Sequence, residues 1–178
     1  MSMQNEMSHA RSLATSGAAE SAATEHFFYD QDCPDPNVAL HPGVSAVIFD
    51  TAKRILIMKR PRGGYWCLPG GRMDIDESAQ ECCIRETREE TGLQTEVVRL
   101  ISVNTNPRSI VVYPDGNVHR SFVLCFEARV LTGSLNVSSE SEGFYWLAQG
   151  EIDDFKLIPD SRFNMLDAWT EQTTAFIR

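Results

Sequence analysis

Residues 77–93, ESAQECCIRETREETGL, carry five glutamates, and three of them, Glu86, Glu89 and Glu90, are nearly adjacent. On an α-helix each residue turns about 100°, which puts Glu90 about 40° and Glu89 about 60° from Glu86, on one narrow face. Like charges at i and i+4 cost a helix roughly 0.2–0.5 kcal/mol, so this face works against its own stability. Two compensations are open. Glu81, Arg85 and Glu89 follow at i, i+4 and i+8 and can pair along a solvated edge. Alternatively, a hard divalent cation such as Mg2+ takes oxygen ligands in near-octahedral array, and three carboxylates on adjacent turns supply them while removing the repulsion. Arg85 can then hold one carboxylate in place through charge-assisted hydrogen bonds.

The flanking segments must position this face. Upstream, PRGGYWCLPGGRMDID (61–76) is a loop whose glycines and prolines forbid regular structure over most of its length. Asp74 or Asp76 is available to cap a helix starting near Glu77, and Gly92 ends it after about four turns. Before the loop, VSAVIFD and RILIMKR flank Thr51–Lys53 and predict a β-hairpin. After the helix, TEVVRLISVNT, SIVVY and SFVLCFEARVL read as strands, with a turn at YPDGN between the last two. A short strand, GFYWL, follows, and PDSRFNMLDAWTEQ predicts a final helix with Phe163, Leu166 and Trp169 or Ala168 on one face. Strands, one acidic helix, more strands and a last helix imply an α+β fold with a mixed sheet covered by helices. A parallel nucleotide-binding fold fits poorly, because GGYWCLPGG is neither GxGxxG nor a P-loop.

At 178 residues the chain suits one domain with a proper core. Residues 1–26, rich in Ser, Ala and Thr, offer too few large apolar groups to order themselves and are expected to form a flexible tail; the domain is expected to span 27–178. Residues 30–43 should be an irregular lead-in broken by Pro34, Pro36 and Pro42. Five cysteines without a CxxC pair favour reduced thiols in a cytoplasmic protein, and Cys82 and Cys83 are expected to pack rather than ligate. No apolar run approaches the roughly 20 residues that cross a bilayer. A net charge of −9 argues against a nucleic-acid surface. It also means that a phosphate substrate needs cations between itself and the protein.

From Gly71 to Leu93 the sequence reads G-x5-E-x7-R-E-x-x-E-E-x-G-L, which resembles the signature of the Nudix hydrolases at Gly71, Glu77, Arg85, Glu86, Glu89, Glu90 and Gly92. Thr87, where the family usually has an aliphatic residue, is the soft departure. The resemblance implies an α/β/α sandwich with a mixed central sheet, the signature forming a loop-helix-loop over a nucleotide phosphate site. It implies hydrolysis of a diphosphate bond in a nucleoside diphosphate linked to some group X, by water attack on phosphorus, with Mg2+ or Mn2+. It further implies Glu86, Glu89 and Glu90 as metal ligands, the Gly71 carbonyl as another, and Arg85 orienting Glu86; Glu77 is left to capping or to a water-mediated contact. For the general base the resemblance leaves Glu86 or a glutamate on the loop before the last core strand, where Glu140 and Glu142 stand; the expectation is Glu86 as base or ligand, with Glu140 or Glu142 as helper. Homodimers are common in the family.

For the rest of the substrate, Lys59 and Arg60 end a strand just before the glycine loop and can reach phosphate oxygens opposite the metals. Gly70 sits beside the signature, Tyr65 and Trp66 can stack on a base or sugar, and His119 and Arg120 can line the mouth of a pocket. A nucleotide-derived small molecule is the expected partner, a sugar nucleotide such as ADP-ribose being favoured. Oxidised nucleoside triphosphates and a non-catalytic nucleotide sensor are the alternatives.

Overall fold

The computed structural model describes residues 24–29 and 32–178. The expected tail thus lies outside the described residues as far as residue 23. The strands are β1 (His26–Tyr29), β2 (Gly43–Ile48), β3 (Ile55–Lys59), β4 (Trp66–Cys67), β5 (Leu93–Asn104), β6 (Ser109–Val112), β7 (Val118–Arg120), β8 (Val123–Gly133), β9 (Gly143–Leu147) and β10 (Phe176–Ile177). Helix α1 (Ala79–Thr91) precedes β5, and α2 (Pro159–Trp169) precedes β10.

Strand β2 is buried at every residue and β3 at all but its last. Successive strand side chains point to opposite faces, so such strands need cover on both sides. Val47, Ile55 and Ile57 pack on one side with Ile101, Cys125 and Met165 of α2; Val44, Ala46, Ile48 and Leu56 pack on the other with Cys82 and Cys83 of α1. An α/β/α sandwich results. Its central sheet, in the order β10-β5-β8-β2, is mixed: β5 and β8 are antiparallel, whereas β10 and β2 run parallel to their neighbours. A second sheet has the order β4-β3-β9, and a third, β1-β6-β7.

Four local expectations are corrected. The β2–β3 hairpin exists only at its turn, where Phe49 bridges Ile55; beyond that β2 joins β8 and β3 joins β4 and β9. The turn chemistry is local, with Asp50 accepting from the amides of Ala52 and Arg54, but two strands buried on both faces take different partners. The YPDGN turn joins β6 to β7, not to β8; VHR is too short and polar to announce a strand by itself. HFFY, placed at the tail boundary, forms β1 because β6 supplies an antiparallel partner. Finally, α2 buries Ser161, Asn164, Met165 and Ala168, while Phe163, Leu166 and Trp169 flank that face. The sheet beneath it is polar there: Asn164 accepts from the Ser102 hydroxyl at 2.7 Å and from the Asn104 amide at 2.8 Å.

Candidate active site

Helix α1 starts at Ala79, two residues later than its acidic flank suggests. Ser78, rather than Asp74 or Asp76, is the N-cap, in a capping box with Glu81, and Gly92 closes the helix at a φ of 78°. Glu77 stands just ahead of the cap and accepts from the Asp74 amide at 2.7 Å and from Arg85 Nη2 and Nε at 2.6 and 2.9 Å. Its carboxyl is pulled down to about 2, chiefly by the Arg85 bonds. Arg85 also donates to Glu86 at 2.9 Å, to Glu89 at 3.2 Å and to the Arg72 carbonyl at 3.1 Å. One guanidinium therefore ties together the loop, the residue before the helix and two of the three clustered glutamates.

The third, Glu90, is only 3 % exposed and accepts the Gly70 amide at 2.7 Å. Burial pushes its carboxyl up to about 8, and the charges of Glu86 and Glu140 add to the rise against the Gly70 bond and Arg60. Burial likewise raises Glu86, with Glu89 and Glu140 adding to it and Arg85 opposing. Gly70 is sterically required, and Gly71 leaves the room that the Glu86 carboxylate occupies. A Cβ on Gly70, at φ 146°, would fall 2.2 Å from the Val44 carbonyl oxygen, and one on Gly71 would fall 2.4 Å from Glu86 Oε1. Gly71→Ala must push the Glu86 carboxylate aside. Because a misplacement of about 1 Å can cost about 100-fold, turnover of this variant should fall by at least about tenfold, with the fold retained by circular dichroism.

Among the described residues, no three His, Cys, Asp or Glu side chains already converge as a ligand set. The carboxylates instead engage Arg85 and the Gly70 amide. Their chemistry nevertheless suits a hard cation. All donors are oxygens, two of the carboxylates are desolvated close to one another, and Glu86 packs against the Gly71 backbone. The Gly71 carbonyl accepts the Val44 amide at 2.8 Å, which leaves its second lone pair.

Gly70 and Gly71 form part of the wall of a cleft of about 200 Å³, bounded also by Phe27, Phe28, Tyr113, His119 and Asp160. His119 and Arg120 line it. Arg60 lines it too, and also lines an adjoining groove with Glu140, but its guanidinium is gripped by Glu25 through two bonds of 2.8 Å. Lys59 pairs with Glu142 at 2.7 Å. Glu140 is near enough for its charge to act on Glu86 and Glu90. Tyr65 and Trp66 lie off the cleft wall: Tyr65 packs edge-on against Phe27 with Lys156 over its ring, and Trp66 packs against Phe155. Glu25, Phe27 and Phe28 escaped notice in the sequence because the sheet β1-β6-β7 brings them in from far along the chain; Arg72 had a signal, its place beside Gly71.

A family model described as the NUDIX domain matches residues 39–168, most of the chain. The chain belongs to the Nudix family. It is 38 % identical over 125 residues to a putative 8-oxo-dGTP diphosphatase of Bacillus subtilis, covering 70 % of this chain and 77 % of that protein. It is 30 % identical over 129 residues to an ADP-ribose pyrophosphatase of Methanocaldococcus jannaschii, covering 70 % and 69 %. Among solved structures, an ADP-ribose pyrophosphatase of Streptococcus suis superposes with a TM-score of 0.59 at 22 % identity, over 79 % of this chain and all of that one, a likeness of fold. As a member of that family the chain is an enzyme, a Nudix pyrophosphohydrolase. No helix of the described residues is long and apolar enough to cross a membrane.

Proposed function

We propose that this Nudix enzyme hydrolyses the diphosphate linkage of a nucleoside diphosphate joined to X, with Mg2+ or Mn2+, and that Glu86, Glu89 and Glu90 hold the metal. The observation that carries this is the contact of Glu86 and Glu90 with the Gly70–Gly71 backbone, because those glycines form a wall of the cleft. A bound divalent cation neutralises phosphate oxygens and acidifies a water ligand. The protein's own part is positional. Arg85 fixes Glu86 and Glu89, the missing side chains of Gly70 and Gly71 let backbone approach the carboxylates, and Glu140 stands by to take a proton from the attacking water. The water oxygen bonds to phosphorus, a bridging P–O bond breaks, and the leaving phosphate carries the electron pair.

Glu140 is preferred as base over Glu142 because Lys59 holds the latter. Glu140→Gln should lower kcat by about 100-fold, the span of general-base catalysis, whereas Glu142→Gln should leave it within about twofold. Equal losses would remove this distinction. The overall reading is tested by incubating the protein with nucleoside diphosphate sugars, nucleoside triphosphates and dinucleoside polyphosphates in Mg2+, Mn2+ or EDTA, and identifying the products. Cleavage within a diphosphate, with metal only, is the expected result. Nucleotide binding without turnover would support the sensor alternative. The sugar-nucleotide and oxidised-triphosphate readings each have a named relative in their favour, so the cleft itself must separate them.

A further inference from the structure

The cleft beside the carboxylates has two arginines in its wall, Arg72 and Arg120, neither paired with a carboxylate among the described residues. Arg72 directly follows Gly71, lies over the Tyr113 ring at 5.2 Å from the centroid, and places Nη2 3.4 Å from His119 Nε2. Among the described residues no carboxylate forms an ion pair with Arg72, whereas Arg54, Arg60, Arg85, Arg99 and Arg178 each grip one. A second donor stands in the same wall. Arg120 donates through Nη2 to the Thr105 carbonyl at 2.7 Å, but its Nε is buried with no acceptor among the described residues. A buried donor left without a partner is costly, and the Arg120 side chain that carries it lines the cleft. Asp160, the acid of this cleft, accepts the Ser109 hydroxyl at 2.8 and 3.0 Å and forms no ion pair with either arginine among the described residues.

We propose that Arg72 and Arg120 form an anion subsite for a phosphate belonging to X, distinct from the two phosphates of the cleaved linkage. The inference rests on the diphosphate-hydrolase reading and narrows X to a phosphate-terminated group, as in a nucleoside triphosphate. A polyphosphate lying along the Gly70–Arg72 wall passes from the carboxylates directly to the Arg72 guanidinium. Stacking on Tyr113 holds that guanidinium ready, and its planar fork matches phosphate oxygens. A neutral sugar gives neither arginine a charge to meet.

The test compares ATP with ADP-ribose, which share a base, in Mg2+. The wild type should favour ATP by about tenfold or more in kcat/KM, the scale of one charge-assisted bond. In Arg72→Gln and Arg120→Gln the KM for ATP should rise about tenfold more than the KM for ADP-ribose, and Arg72→Lys should recover part of the loss. Equal rises for both substrates, or a wild-type preference for ADP-ribose, would overturn the subsite. Calorimetric binding of inorganic tripolyphosphate and pyrophosphate provides a readout independent of turnover. Tighter binding of tripolyphosphate that Arg72→Gln abolishes supports the subsite even if neither nucleotide is cleaved, in which case the hydrolase reading alone fails; equal wild-type affinities for the two anions sink the proposal.

Discussion

Glu90→Gln is expected to abolish metal-dependent turnover, by about 100-fold or more, while leaving the fold as stable as the wild type or more so at pH 8. Glutamine keeps the shape and the acceptor that meets the Gly70 amide, so the loop stays attached to the helix; only the charge disappears. That charge is the costly element of the metal-free protein. A carboxyl raised from 4.5 to about 8 favours its protonated form in the folded state. The unfolded chain ionises near 4.5 and the folded one only near 8, so this residue's contribution to stability falls as pH rises through that interval. Metal-free wild type should therefore melt lower at pH 8 than at pH 5 by an amount that Glu90→Gln loses. Added Mg2+ should raise the wild-type melting temperature at pH 8 and do so much less in the variant. Differential scanning calorimetry at the two pH values, with and without metal, reads all four cases. Full turnover in the variant would take Glu90 out of the metal site.

The carboxylate face was legible because helical periodicity is a one-dimensional fact: Glu86, Glu89 and Glu90 share a side wherever the helix is placed. The buried strands at the heart of the sandwich were legible in kind for a similar reason, since β2 and β3 are apolar runs bounded by turn residues. Strand partners were not legible. The turn after Phe49 looks like any hairpin turn, and the choice of β8 over β3 as partner of β2 depends on what covers each face far along the chain. The cleft wall was hidden for the same reason: Phe27, Arg72 and His119 meet only after β1, β6 and β7 have assembled. Trp66 looked like a stacking platform because aromatic type alone does not separate a ring against a ligand from a ring against Phe155. The face of α2 misled because Asn164, buried and bonded at both its oxygen and its nitrogen, behaves as core, whereas Trp169 needs the edge, where its indole donates to the Lys53 carbonyl at 3.0 Å.

Arg85→Met should reduce kcat by about 10- to 100-fold, the range seen when groups that orient ligands are lost, and should also change how the protein responds to acid. Methionine fills similar space without donors, so Glu86 and Glu89 lose the partner that sets their angle, and Glu77 loses both of its guanidinium bonds. Lysine does not restore this, because one ammonium cannot bond Glu77, Glu86, Glu89 and the Arg72 carbonyl in fixed directions. Arg85→Lys should accordingly stay closer to the methionine variant than to the wild type in kcat. The acid signature separates positioning from a general loss of charge. Glu77, held at about 2, contributes stability that is present above its unfolded value near 4.5 and is lost as pH falls through about 2. Without Arg85 the Glu77 carboxyl should return toward 4.5, and its contribution should vanish from that window. Acid unfolding followed by circular dichroism should then begin at higher pH in the variant. An unchanged acid midpoint together with an unchanged kcat would mean that the guanidinium merely decorates the helix, and that Glu86 is oriented by its packing on Gly71 alone.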